Sequence, residues 1–161
     1  MYCLPLFQGH QAFLLQKLGD IYDGFMDCSA AAAEYEISLK KVQTIADTSS
    51  VSMEDISSSI MQLSNETGVV AKDLSEAAYQ AVSASVDTAK SVGFVNNANQ
   101  LAVGGFTNAS SAVDVLTTAI NAYGLEADNA AQVSDYLITT QNKGKTTVGE
   151  LASSLGKVIP V

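Results

Sequence analysis

The chain contains 161 residues, of which 47% are hydrophobic and 16% are charged. This composition excludes the low hydrophobicity and high charge of disordered proteins, and the length suffices for one domain with its own core. Eight basic residues stand against seventeen acidic residues, and the formal net charge of -9 would repel a nucleic-acid backbone. We therefore expect no nucleic-acid binding.

Cysteine and histidine are too sparse to predict a disulfide scaffold or a structural metal site. Cys3 and Cys28 are the two cysteines, and His10 is the single histidine. A site made of these three residues would lack a fourth protein ligand and a closely spaced ligand pair, which structural zinc sites normally have. We expect reduced thiols, with no metal and no cofactor.

Residues 1–28 differ from the rest of the chain, because they contain Pro5, three glycines, both cysteines and the histidine. Their apolar residues keep no long period. They show neither the basic region of a signal peptide nor a run of about eighteen apolar residues that would predict a spanning helix. We interpret residues 1–28 as a divergent, irregular N-terminal segment and residues 29–161 as a separate helical region.

From residue 29 onward, apolar residues recur at helical spacing and predict seven helices. The successive stripes are Tyr35, Leu39, Val42 and Ala46; Ile56, Ile60 and Leu63; Val70, Leu74, Ala77 and Ala81; Phe94, Ala98 and Leu101; Val113, Leu116, Ile120 and Tyr123; Ala130, Val133 and Leu137; and Val148, Leu151 and Leu155. The predicted fold is all-α, with about seven short antiparallel helices in an irregular hairpin array or bundle.

Helix ends are marked by capping residues and glycines. Ser52 with Asp55, and Thr147 with Glu150, have the spacing of capping boxes and predict helix starts. Four glycines follow the apolar stretches and predict left-handed helix ends. They are Gly68, Gly105, Gly124 and Gly144. Their spacing of 19, 20 and 37 residues indicates one helix and one tight connection about every twenty residues, with an unmarked turn near Val86 and Asp87.

No catalytic arrangement is visible in the sequence. The single histidine lies in the N-terminal segment, and no G-x-S-x-G motif occurs. Gly144, Lys145 and Thr146 imitate the end of a P-loop, but Thr139 stands where the first glycine is required. We predict no catalytic, cofactor-binding or metal-binding residues and expect that the protein is not an enzyme.

Five sequence blocks, taken in order, resemble the core region of phage tail tape measure proteins. They are Asn65–Gly68, Leu74–Ala81, Ala102–Thr107, Ala112–Leu125 and Gly144–Gly156. The resemblance covers residues 30–161 and is most specific in the strings AYGL and GELASSLG. It identifies the chain as a member of this family and implies an all-helical structural protein.

The resemblance implies that several copies lie in the lumen of the virion tail. Tube subunits would polymerise around this ruler in the host bacterial cytoplasm, and the ruler would be released when the genome is ejected. The implied partners are further copies of the chain, the tail tube protein, a tail assembly chaperone and tail-tip proteins, with transient contact with the host membrane at ejection. As one helix, 161 residues span only about 240 Å. We therefore expect a fragment or a truncated prophage copy, incomplete at its C-terminus.

Candidate sites under this interpretation are structural. The four glycines would act as turns or hinges between compact hairpins and longer helices. A self-association face would include Leu116, Ile120, Tyr123, Val133 and Leu137. The alternative for this apolar set is the ordinary core of one chain.

Three other functions remain open at this stage. The first is a small helical binding or assembly-adaptor module without ruler activity, which would use the hairpins as a fixed groove. The second is an enzyme whose site combines Tyr79 or Tyr123 with hydroxyl and carboxylate groups. The third is a pore that forms when the alanine-rich helices insert together into a membrane.

Overall fold

A computed structural model describes the backbone of residues 5–105 and 107–158, and the side chains of residues 16–105, 107–155 and 157. These residues form seven α-helices and no β-strand, which confirms the predicted all-α class. The helices are α1 (Pro5–Ile45), α2 (Met53–Thr67), α3 (Ala71–Ser83), α4 (Ser91–Gly104), α5 (Ala109–Tyr123), α6 (Ala130–Lys143) and α7 (Val148–Val158). Short 3-10 turns at Thr88–Lys90 and Ala127–Asn129 lead into α4 and α6.

Helix α1 is far longer than the sequence predicted. It continues through Gly19 and Gly24, and a Cβ atom at either glycine would meet nothing within 4 Å. Each glycine costs only about 1 kcal/mol in an exposed helix, and the surrounding leucine, lysine, methionine and alanine residues favour helix. The expected irregular segment is therefore wrong over residues 5–28. Residue 28 marks no break in the helix, and the division of the chain there stays a prediction.

The helices form two layers. In one layer α3 packs between α1 and α5, and α5 packs between α3 and α7; in the other, α4 packs between α2 and α6. The bonds Lys90 Nζ to Asp128 Oδ2 at 2.8 Å and Gln141 Nε2 to the Gly104 carbonyl at 3.3 Å join the starts and ends of α4 and α6. These two helices therefore run in the same direction.

The array repeats every 39 residues, which is more regular than predicted. Helices α4 and α6 begin 39 residues apart, as do α5 and α7 and the two 3-10 turns. The sequence shows this period only through its turn residues, because the buried faces require small or apolar side chains but no fixed order of them. The unit is thus a pair of helices, and the glycine spacing near twenty reflects its half.

The predicted apolar stripes form one continuous core. Its members from α3 to α5 include Leu74, Ala77, Ala78, Ala81, Phe94, Ala98, Leu101, Val113 and Leu116, all at most 2% exposed. Two predicted stripe residues are misplaced: Val70 is 59% exposed at the N-cap of α3, and Tyr123 is 71% exposed in the last turn of α5. Each lies at a helix end, where the backbone turns away from the neighbouring layer.

Both predicted capping boxes mark helix starts. The Ser52 hydroxyl accepts the Asp55 N–H at 3.1 Å, but the Asp55 carboxylate accepts from that hydroxyl instead of reaching the Ser52 backbone. Thr147 and Glu150 form the complete reciprocal pair, with N···O distances of 2.9 and 3.2 Å. Helix α7 therefore begins with two of its otherwise unpaired backbone donors satisfied.

Candidate functional site

The four predicted turn glycines each follow a helix, but they act in two different ways. Gly68 (φ +73°) and Gly124 (φ +62°) have the predicted left-handed backbone. Gly105 and Gly144 have negative φ, so the predicted left-handed conformation is wrong for both. A Cβ at Gly105 would lie 2.6 Å from Val148 Cγ2, which shows that this glycine permits close helix packing. A role of these glycines as hinges stays a prediction.

The turn near Val86 and Asp87 is present without a glycine. Ser85 takes the left-handed conformation with φ +73°, and the Val86 N–H donates to the Ala81 carbonyl at 3.0 Å. Gly124 stands 39 residues later, and the Leu125 N–H donates to the Ile120 carbonyl at 2.9 Å. The two turns are the same Schellman motif, once with serine and once with glycine.

The predicted self-association face lies mostly inside the folded chain. Leu116 is completely buried, and Ile120, Val133 and Leu137 are at most 9% exposed. Only Tyr123 of the five residues lies on the surface. In this fold the intrachain core accounts for the other four, because helices α5 and α6 use them to pack within the array.

Ion pairs bridge successive helices of the outer layer. Lys72 Nζ lies 3.0 Å from Glu34 Oε2, and Lys41 Nζ lies 4.0 Å from Glu76 Oε1. The hydrogen bond and charge of Glu34 raise the pKa of Lys72 above its ordinary value. This interaction is present below the ordinary lysine pKa and is lost as pH rises through the folded-state pKa. The lysine is solvated, so the pair orients the helices more than it stabilises them.

A similar pair joins the turns before α4 and α6. The Asp128 carboxylate, 2.8 Å from Lys90 Nζ, raises the pKa of Lys90 by its hydrogen bond and then by its charge. Nearby, the Asn121 side-chain amide donates to the Ala84 carbonyl at 3.3 Å. Equivalent positions of adjacent repeats are thus linked at the turn edge of the array.

Surface grooves between the helices are polar and open. The largest, about 560 Å³, lies between α3 and α5 and includes Tyr79, Gln80, Ser110 and Asp114 in its lining. Ser110 donates to Gln80 at 2.9 Å. Within the described residues, no group of three His, Cys, Asp or Glu side chains is placed to hold a metal ion. Of the cysteine and histidine set, Cys28 is exposed, whereas Cys3 and the His10 side chain lie outside the described residues.

One exposed apolar surface was missed in the sequence. It consists of Leu18, Ile21, Tyr22, Phe25, Met26 and Cys28, and we call it the α1 stripe. Ile21 and Phe25 are each 69% exposed. The signal was their spacing, which continues the Tyr35, Leu39 and Val42 pattern toward the N-terminus once residues 18–42 form one helix. No helix within the described ranges is long and apolar enough to cross a membrane.

The fold and these surfaces define an all-helical, repetitive scaffold protein. Residues 57–161 match the model of the phage-related minor tail protein family. This is more than half of the chain, and the chain belongs to that family. It is therefore a phage tail component, as the resemblance to tape measure proteins predicted.

A curated relative supports the same assignment. A protein described as a probable tape measure protein of Clostridium phage phiCD119 is 32% identical over 141 residues. The match covers 85% of this chain and 15% of the relative, so the chain spans a small part of that protein's length. No solved structure matches the chain.

Proposed function

We propose that the chain is a segment of a tail ruler, a structural protein that scaffolds the tail tube and sets its length. Several copies would lie in the tube lumen after assembly in the host cytoplasm, contact the tube protein, the assembly chaperone and tail-tip proteins, and leave at genome ejection. In this role the protein is structural and performs no catalysis. The relative described as a tape measure protein supports the proposal.

The observation that carries the proposal is the 39-residue helical repeat. A ruler must gain a fixed length for each unit of sequence, and a repetitive array does so because every unit contacts only its neighbours. An irregular globular core has no such proportionality. The repeat therefore fits length measurement better than ligand binding.

The interfaces of the array also suit extension. Helix α3 packs through Ala77, Ala78 and Ala81, each fully buried, and these side chains bury little apolar area per residue. Stabilisation scales with the apolar area buried, so such contacts cost less to separate than contacts between large side chains. In the proposed extended state, helices would separate at the turns marked by Gly68, Ser85, Gly105, Gly124 and Gly144.

Removal of one repeat from the full-length protein tests the ruler. Residues 91–129 run from the start of α4 to the end of the second 3-10 turn, so their deletion joins Lys90 to Ala130 at equivalent positions. If the region is an extended helix in the tail, deletion shortens the tail by about 60 Å, at about 1.5 Å per residue. If it stays folded, the tail shortens by about 10 Å, the spacing of packed helices.

The matched control is a duplication of residues 91–129, which should lengthen the tail by the same amount. Tail length is measured by electron microscopy of phage particles that carry each version. Unchanged length in both versions, with normal particle assembly, would overturn the ruler and favour the assembly-adaptor alternative.

A further inference from the structure

The first half of the described side chains of α1 lies outside the two-layer array. Every side chain from Gln16 to Glu34 is exposed, including the whole α1 stripe. Exposed apolar residues are common singly, but a contiguous row on one helix face marks an interaction surface. The chain's own described residues leave this surface uncovered.

The spacing of the row indicates what kind of partner covers it. From residue 18 to residue 42, apolar positions alternate steps of three and four residues without interruption. They are Leu18, Ile21, Phe25, Cys28, Ala32, Tyr35, Leu39 and Val42. A sustained average of 3.5 residues is the period of a helix that packs along another helix in a coiled coil. The same row enters the array, where Val42 is completely buried and Tyr35 and Leu39 pack against the core.

The distribution of charge permits a second copy of the chain as that partner. Asp20, Asp23 and Asp27 lie on the face of α1 opposite the stripe, and Lys17 pairs with Asp20 at 3.3 Å. Two stripes can therefore meet without bringing the carboxylates of the two copies together, although each chain carries a net charge of -9. The stripe is apolar throughout, so an identical stripe matches it.

We propose that the α1 stripe pairs in parallel and in register with the α1 stripe of a second copy of this chain. The direction of the pair rests on the proposed function, because copies that measure one tube must present the same end to the same end of the tube. Cys28 then lies at the seam opposite Cys28 of the second copy. The two helices diverge after residue 34, where each enters its own array.

The first test compares the oligomeric mass of three versions of the chain by size exclusion with light scattering. All versions carry Cys3→Ser, so that Cys28 is the single cysteine. The reference chain should show at least twice the monomer mass at high concentration. Ile21→Glu should reduce that mass to the monomer, because a carboxylate at the seam loses its solvation. Ala30→Glu adds the same charge to the opposite face and should leave the mass unchanged.

Phe25→Glu serves as a second stripe variant, and circular dichroism checks that each variant keeps its helix content. Both stripe positions are exposed in the single chain, so neither substitution removes a core contact. A reference chain that stays monomeric at every concentration would overturn the proposal. The same conclusion would follow if both stripe variants kept the reference mass.

The direction of pairing is tested with a short bismaleimide that links two thiols. A parallel, in-register pair gives a covalent dimer through Cys28, and Ile21→Glu should lower its yield at least about tenfold. In an antiparallel pair, Cys28 would lie opposite Leu18 of the second copy, and no dimer would form. Oligomers without this product would overturn the parallel pair. These assays do not measure tail length, so failure of the pairing and failure of the ruler are separate results.

Discussion

Ser85 shows at the residue scale how one backbone conformation is required by the turn and not by the side chain. The turn after α3 needs a left-handed residue, and the equivalent turn after α5 uses Gly124. A residue with a Cβ atom in this conformation costs about 1–2 kcal/mol, which glycine avoids. Ser85 therefore keeps a strain that its repeat partner does not have.

Ser85→Gly should raise the free energy of unfolding by about 1 kcal/mol, because the strain is removed while the Schellman bonds stay. Chemical denaturation followed by circular dichroism measures the change. Ser83→Gly is the matched control, since Ser83 is the last residue of right-handed α3 and glycine there should cost about 0.5–1 kcal/mol. A loss of stability in Ser85→Gly would show that the Ser85 side chain stabilises the turn.

At the scale of elements, Gly105 fixes how closely the end of α4 approaches α7. A Cβ at Gly105 would lie 2.6 Å from Val148 Cγ2 and 2.8 Å from the Leu101 carbonyl oxygen. Val148 is completely buried at the first position of α7, and the Leu101 carbonyl accepts the Gly105 N–H at 2.7 Å. Neither neighbour can move without shifting a helix.

Gly105→Ala should therefore destabilise the chain by about 1–3 kcal/mol and expose α7, a cost typical of overpacking. Gly104→Ala is the matched control, because its Cβ would meet only the tip of Ile138, Cδ1 at 3.2 Å. That tip can change rotamer, so we expect a near-neutral effect. Denaturant midpoints of both variants decide the matter, and equal losses would contradict the close approach of α7 to Gly105.

At the scale of the whole molecule, the array is close to one-dimensional. Helix α3 has neighbours on both sides in its layer, whereas α7 packs on α5 at the edge of the described array. In such architectures stability is a sum of unit stabilities and interfaces between neighbours. A defect should therefore spread according to its place in the array.

Leu74→Ala in α3 should destabilise the array by about 2–5 kcal/mol and accelerate amide exchange in the helices on both sides. Val148→Ala, also at a completely buried position, should accelerate exchange mainly in α7 and leave α3 protected. Native-state hydrogen exchange reads both effects helix by helix. Uniform acceleration by both variants would mean that the array opens as one cooperative unit.

The self-association face shows where prediction from the sequence failed. Leu116, Ile120, Val133 and Leu137 were correctly identified as apolar helix faces, but periodicity does not say whether a face meets the same chain or another. The tertiary structure buries these four and exposes the α1 stripe. The stripe itself was missed because Gly19 and Gly24 suggested an irregular segment, which hid the continuous spacing toward Val42.

The sequence by itself determined the all-α class, the positions of most helices, the capping boxes and the tail family, since each depends on local spacing or on order along the chain. Only the tertiary structure decided the two layers, the 39-residue repeat, the length of α1 and the role of Gly105. The physical reason is that local patterns fix which residues form a helix, whereas its partner depends on contacts between residues 35–41 apart in the chain. Such contacts join Glu34 to Lys72 and Lys90 to Asp128, and no local period encodes them.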